Sequence, residues 1–431
     1  MDKDTIPGLK ARFVAPENRV SFILVTALFL FWGIPNNLND ILIKQFMKSF
    51  EITRLEAGLI QSAFYLGYFL LALPAAMMMR KFSYKAGLVT GMLLYSTGTF
   101  LFWPAARSGE YLFFLFALFI IASGLSFLET GSNPFIAGLG SQESSERRLN
   151  FSQAFNPFGA ILGVLIGTIF IFSGIEHDQS KIDLMKQTGE YAAYLQSETM
   201  RVVRPYMVLG VIVLLWAILI MRTRFPEISA EESISGDKGR IRDLLKYPHF
   251  LGGVFAQFCY VGAQVGTWSY FIQYSQDYTG IAEKTAGYFL TGTLAAFLIG
   301  RFSATWIMKY IKPGKLMGIY AIANVLLISI AVVHPGWVGL WSVFLSSFFM
   351  SLMFPTIFAL GIKGLGQHTK IGGSIIVMAI IGGGVFTPLM GLIAGKSMAH
   401  AMLIPLACYI VIAFYAFFWS VPGSLRKLNK N

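Results

Sequence analysis

Apolar runs of membrane-crossing length follow one another along almost the whole chain. A helix needs about 20 apolar residues to cross the hydrocarbon of a bilayer. By that rule roughly twelve spans are expected, near residues 21–47, 55–80, 84–106, 111–139, 149–174, 203–222, 248–276, 284–309, 315–334, 337–363, 369–396 and 399–420. Backbone polar groups in lipid must be satisfied within a segment, so a chain built this way folds as a helical bundle. Composition agrees: 13% of the 431 residues are charged and 55% are hydrophobic, against about 25% charged in a soluble domain.

The net charge of +12 does not indicate nucleic acid, because the basic residues sit in short loops rather than one patch. They concentrate after even-numbered spans: Arg80, Lys81 and Lys85; Arg147 and Arg148; Arg222, Arg224, Lys238, Arg240, Arg242 and Lys246; Lys309, Lys312 and Lys315; Lys363 and Lys370; and Arg426, Lys427 and Lys430 in the tail. Basic loops stay in the cytoplasm, so both termini are expected inside in a multi-pass membrane protein. The polar first twenty residues and the lack of a small-residue cleavage site predict no cleavable signal peptide. Cys259 and Cys408 lie in separate apolar runs and read as packing residues.

The charged stretch 223–247 divides the chain into an N-terminal six-helix bundle, 1–222, and a C-terminal one, 248–431. A repeat supports this division. Asn133-Pro134-Phe135 runs on through Gly140 to Ser141-Gln142, and Phe354-Pro355-Thr356 runs on through Leu360 to Gly364-Leu365-Gly366-Gln367. Each is followed by a span with a small-residue stripe, Gly159, Gly163 and Gly167 in one and Gly391 and Gly395 in the other. Such stripes let helices approach closely in lipid. The expected architecture is an all-α membrane protein of two pseudo-symmetric six-helix repeats, with a solute site between them near the midplane. The loop near 175–202 is expected outside.

The polar residues inside these runs point to chemistry. Asp40 and Glu129 are carboxylates at membrane depth, which mark functional sites by default and can take up and release a proton during a cycle; the plainer alternative is a helix cap or a hydrogen bond to a neighbour. Asn36, Asn37 and Asp40 share one side of the first span. Asn133, Gln153 and Asn156 in the first half, and Gln257, Tyr260 and Gln264 in the second, offer donors and acceptors suited to sugar hydroxyls, though interhelical hydrogen bonding accounts for many such residues. Trp268, Tyr270 and Phe271 offer faces on which a sugar ring stacks. Gln61 and Asn324 are further polar candidates. Arg301 is expected near the cytoplasmic end of its span, snorkelling or paired with a loop carboxylate. The five histidines fall at span ends, so no metal site is expected. Phosphate loops, metalloprotease motifs and nucleophile elbows are missing, and Gly382-Gly383-Gly384 reads as packing or a hinge. No enzyme activity and no cofactor are expected.

Several long stretches carry a family resemblance: Asn-Asn-Leu-Asn-Asp-Ile-Leu at 36–42, Ala-Gly-Leu-Ile-Gln-Ser-Ala-Phe-Tyr at 57–65, Leu-Phe-Trp-Pro-Ala-Ala at 101–106, Leu-Glu-Thr at 128–130, Gln257 to Gln264, Trp268-Ser269-Tyr270, Gly300-Arg301-Phe302 and Ile380 to Gly384. The chain resembles the fucose-galactose-glucose branch of the major facilitator superfamily. That resemblance implies twelve spans and a rocker-switch carrier, with Asp40 and Glu129 serving proton coupling and sugar recognition and Asn37, Gln153 and Asn156 touching the sugar. It departs from the fucose carriers at Met353-Phe354, where they carry Gln and Tyr, so the C-terminal wall is more apolar here. The expectation is a monomeric proton-coupled importer of a neutral monosaccharide, L-fucose first. Glucose, galactose or another hexose, sodium coupling, and export of small amphipathic compounds stand as alternatives.

Overall fold

The structure is a computed structural model that describes residues 14–140, 148, 151–226, 241–308, 310–365 and 368–420. The basic residues Arg147, Lys238, Arg240, Lys309, Arg426, Lys427 and Lys430, the 227–240 part of the linker and the repeat residues Ser141, Gln142, Gly366 and Gln367 lie outside the described residues. Among the described residues eleven helices are long and apolar enough to cross a membrane: Pro16–Ser49, Arg54–Met79, Tyr84–Ser108, Tyr111–Ile136, Phe151–Ile171, Tyr191–Arg222, Glu283–Ile307, Pro313–Val333, Trp337–Ile362, Ile375–Ala394 and Met398–Trp419. The twelfth is Pro248–Ser269, seventh in chain order. Its glycines and glutamines dilute its hydropathy, and most of its length is buried by other helices rather than by lipid. The spans are numbered in chain order below.

Packing follows the repeat. The first span lies along the fifth, the second and third along the fourth, and the third along the sixth. Adding six to each number gives the pairs of the other half: seventh with eleventh, eighth and ninth with tenth, and ninth with twelfth. The halves meet through the second span against the eleventh and the fifth against the eighth, which the same rule also exchanges. This is the twelve-helix architecture of two related bundles.

Small residues set the closest approaches. A methyl group at Gly159 would collide with the carbonyl of Leu30, and one at Gly163 with that of Ile34, so this stripe lies against the first span. Gly382 packs in the same way on the carbonyl of Phe258. The stripe expected at Gly391 and Gly395 is realised only in part: Gly391 meets Arg54 and Tyr270, whereas Gly395 meets only its own helix.

Prolines inside spans remove a helical hydrogen bond and cost about 3 kcal/mol where nothing compensates. Two of the freed carbonyls find new donors. Pro35 releases the carbonyl of Phe31, which accepts from the Tyr95 hydroxyl at 3.0 Å. Pro388 releases that of Gly384, which accepts from Ser62 Oγ at 2.6 Å across the interface between the halves.

The bundle is closed at the end where the first span turns into the second. Thr53 and Glu56 form a reciprocal capping box there, which fixes Arg54 at the first turn. Near the same end Asp178 caps a surface helix, Gln179–Thr188, and a second short helix, Tyr191–Arg201, leads into the rest of the sixth span, Val203–Arg222.

Candidate functional site

Asp40 lies in the buried part of the first span, five residues after Pro35, and is 3% exposed. Its Oδ1 accepts from Gln61 Nε2 of the second span at 3.1 Å and from Ser269 Oγ of the seventh at 2.9 Å. Gln61 Nε2 also donates to Ser269 Oγ at 2.9 Å, closing a triangle among three spans and both halves. Both described donors to Asp40 are neutral.

Glu129, in the fourth span, is half-buried and keeps accessible surface. One turn on, Asn133 donates to the Glu129 backbone carbonyl at 3.1 Å and accepts at Oδ1 from Gln153 Nε2 at 3.2 Å. Asn156 donates to the Phe29 carbonyl at 3.4 Å, and Asn37 to that of Gly33 at 3.3 Å. Asn36 Oδ1 is buried with no hydrogen-bond partner among the described residues. The ring of Tyr65 rests against Gly383, and its Cβ lies beside Gly384. Gly383 is therefore the seat of an aromatic side chain from the opposite half, while Gly382 faces its own half.

On the C-terminal side Gln257 is fully buried with neither amide atom partnered, and the hydroxyl of Tyr260 is likewise unpartnered. Tyr260 packs edge-on near Phe354, ring centroids 6.2 Å apart. Gln264 is half-buried, and Asn324 is buried with both amide atoms unpartnered. Three expectations change. Trp268 does not offer an open face in this arrangement: its indole N–H donates to Ser347 Oγ at 3.0 Å and its ring packs edge-on against Phe297. Tyr270 and Phe271 are fully buried as well. Arg301 turns inward and pairs with no carboxylate among the described residues; its guanidinium sits over Phe297 at 4.9 Å while Nε donates to the Ser351 carbonyl at 3.3 Å, where the tenth span breaks. Cys259 and Cys408, read as packing residues, are buried free thiols.

The closed end carries the charged groups that residue order did not reveal. Arg54 pairs with Asp277 at 2.6 Å and donates to the Ala394 carbonyl at 2.8 Å, while Tyr270 donates to the Arg54 carbonyl at 2.7 Å. Lys48 lies 2.9 Å from Glu198 of its own half and 3.7 Å from Glu283 of the other. Gln276 donates to Glu176 at 2.9 Å. An open recess of about 620 Å³ over Arg54, Asp277 and Lys396 lies outside this layer, away from Asp40 and Glu129.

Two repeated bundles, polar side chains converging between them and a charged closure at one end define a multi-pass membrane transporter fold. The Major Facilitator Superfamily profile matches residues 20–370, and the chain belongs to that family. Within it, the chain is similar to the L-fucose-proton symporter of Escherichia coli K12, 44% identical over 97% of this chain and 96% of that one. It is also similar to a glucose/galactose transporter of Brucella abortus, 34% identical over 91% and 92% of the two chains. Among solved structures, the transporter FucP in the outward conformation matches with 44% identity and a TM-score of 0.67, covering 93% of this chain and 99% of that one.

Sequence reading missed Ser269, whose neighbours drew attention as aromatics. The signal was there in Trp268-Ser269-Tyr270: three successive side chains at the end of the seventh span reach Ser347, Asp40 and Arg54 respectively.

Proposed function

We propose that this chain is a proton-coupled symporter that imports a neutral monosaccharide, L-fucose first, by alternating access in the bacterial inner membrane, with both termini in the cytoplasm. The observation that carries this reading is Asp40, a buried carboxylate with neutral donors at the crossing of three spans and both halves. An unpaired charge in such a place costs several kcal/mol, so the site suits a carboxyl that is neutral when closed and charged when open. Glu129, with accessible surface beside Asn133 and Gln153, is the second carboxyl of the pair. Asn36, Asn37, Asn133, Gln153 and Asn156 on one wall, and Gln257, Tyr260 and Gln264 on the other, are the groups assigned to the sugar, while Trp268 is closed off from it in this arrangement. Their amides and phenol match hydroxyls in both senses, and unpartnered atoms at Asn36, Gln257 and Tyr260 await a polar solute.

The bodies that rock are residues 1–222 and 248–431, joined by 223–247, and the carrier works as a monomer. The Arg54–Asp277 end faces outside, which makes this the inward-facing arrangement. A TM-score of 0.67 to a 44% identical transporter in the outward conformation is what a change in the relative tilt of two conserved halves produces. With the outer side open, Asp40 takes a proton and the wall amides take the sugar. Closure then buries a neutral carboxyl, and the inner opening releases both. The chain carries out transport rather than catalysis.

The relative from Brucella abortus supports a second substrate reading, glucose or galactose, and Met353, fully buried, with the half-buried Phe354 makes the C-terminal wall apolar where a hydroxyl-rich solute turns its ring face. Proteoliposomes holding the purified protein, loaded with a pH dye and given single labelled sugars, separate the readings. L-fucose should move protons in with it, and Glu129→Gln should lose gradient-driven accumulation. Uptake that requires Na⁺, or a pH response to glucose or galactose alone, replaces the coupling ion or the substrate.

A further inference from the structure

We infer that Ser269 and Gln61 are positioning residues that form a latch between the halves, through which the charge state of Asp40 decides whether the closed end stays closed. The inference rests on the proton role proposed for Asp40. Ser269 is fully buried and Gln61 is 1% exposed, and each makes two of the three bonds of the triangle with Asp40 Oδ1. Ser269 is contributed by the second half and the other two by the first, so the two bonds ending at Ser269 hold the halves together. Both donors converge on one oxygen of the carboxyl, which leaves the other oxygen to carry a proton.

The magnitudes set the direction. A hydrogen bond to a charged acceptor contributes about 1.5–3 kcal/mol, against about 1 for a neutral one, so two of them favour the charged form by a few kcal/mol at most. Burying an unpaired carboxylate costs several kcal/mol even after relaxation. No cation offsets that cost here. The ionisable groups around Asp40 are Lys44 one turn on, which is coupled to Glu283, Glu176 and Asp277; Tyr65 of the second span; and Glu129 of the fourth. The fifth span brings the neutral Gln153 and Asn156, the sixth brings Glu198, which pairs with Lys48 further along, and the seventh brings no charge. The latch therefore holds a neutral carboxyl and releases a charged one. Deprotonation opens the outer side for the next proton and solute.

The test reports opening rather than transport. Gln273 lies beneath the charged closure and is 1% exposed, so Gln273→Cys, in a chain carrying Cys259→Ala and Cys408→Ala, reacts with an impermeant maleimide only when that end opens. Rates are divided by those of an exposed Thr188→Cys control in the same background. The normalised rate should rise about tenfold between about pH 6 and about pH 9, the range in which buried carboxylates titrate. Asp40→Asn keeps an acceptor for both donors and should be slow at every pH. Ser269→Ala should be fast at every pH, and Ser269→Thr should restore the parent profile. A Ser269→Ala profile equal to the parent, or flat and slow, overturns the latch while a flat Asp40→Asn profile keeps the proton reading. An Asp40→Asn profile equal to the parent overturns the proton reading itself. If Ser269→Ala does not fold, Gln61→Leu removes the other donor and is read in the same way.

Discussion

The Ser62 hydroxyl donates at 2.6 Å to the carbonyl of Gly384, the group that Pro388 leaves without a helical partner. A defect in the eleventh span is thus repaired by the second, and the repair is also a bond between the halves. Ser62→Ala leaves that carbonyl unsatisfied, a loss of about 1–3 kcal/mol. It should loosen the closed end more than it unfolds either bundle. Pro388→Ala lets the helix satisfy Gly384 itself, so Ser62→Ala should cost at most about half as much in that background. Maleimide access to Gln273→Cys, measured for the four members of the cycle, reads the coupling; equal effects of Ser62→Ala in both backgrounds would show that the bond does not hold the seam.

Arg54 and Asp277 predict a smaller and reversible effect. Both side chains keep accessible surface, and exposed ion pairs contribute about 1 kcal/mol or less. Asp277→Asn should raise the open fraction of this end by roughly fivefold at most at low salt, and about 1 M salt should erase most of the difference between the variant and the parent. Arg54→Ala should do more, because it also frees the Ala394 carbonyl. Thermal midpoints and the same thiol assay check both, and an Asp277→Asn effect that persists in high salt would count against an ionic closure.

The two glycine stripes predict opposite outcomes. Gly159 faces the Leu30 carbonyl with no room for a methyl group, and overpacking costs about 1–3 kcal/mol or more. Gly159→Ala should lower the thermal midpoint measurably and Gly159→Leu should prevent a monodisperse preparation. Gly395→Ala meets nothing nearer than the Leu392 carbonyl at 3.3 Å and should leave the midpoint almost unchanged. A midpoint for Gly395→Ala as low as that of Gly159→Ala would mean that the eleventh span packs through Gly395 after all.

Much of this was legible in residue order, for reasons that differ by element. Hydrophobic length reports the cost of backbone in lipid, so the spans fall close to where apolar runs predict them, except that the sixth begins at Tyr191, well ahead of the apolar run at 203–222. The seventh was found because its polar residues still lie in a long run without charges. The Gly159 and Gly163 stripe is local periodicity and was equally visible. The Asp40–Ser269 bond and the Arg54–Asp277 pair were not, because each joins residues more than 200 positions apart and neither type signals its partner. Arg301 was misplaced because distance along a helix gives depth but not direction: its guanidinium turns inward to Phe297 and the break in the tenth span.

Gln257 carries the prediction that most directly separates function from packing. It is fully buried in the seventh span, and neither its amide nitrogen nor its amide oxygen has a partner among the described residues. Leaving a buried polar group unsatisfied costs about 1–3 kcal/mol, a cost that selection for stability alone removes by replacing it with an apolar side chain of similar size. If a bound solute supplies the missing partners, Gln257→Leu should raise the thermal midpoint of the empty carrier or leave it unchanged. The same change should weaken sugar binding by about tenfold, since a hydrogen bond contributes about 0.5–1.5 kcal/mol and about 1.4 kcal/mol is tenfold in affinity. Calorimetric titration with L-fucose beside a melting curve gives both numbers on one preparation. A destabilised carrier that binds sugar normally would make Gln257 an interhelical contact and move the C-terminal half of the site to Tyr260 and Gln264.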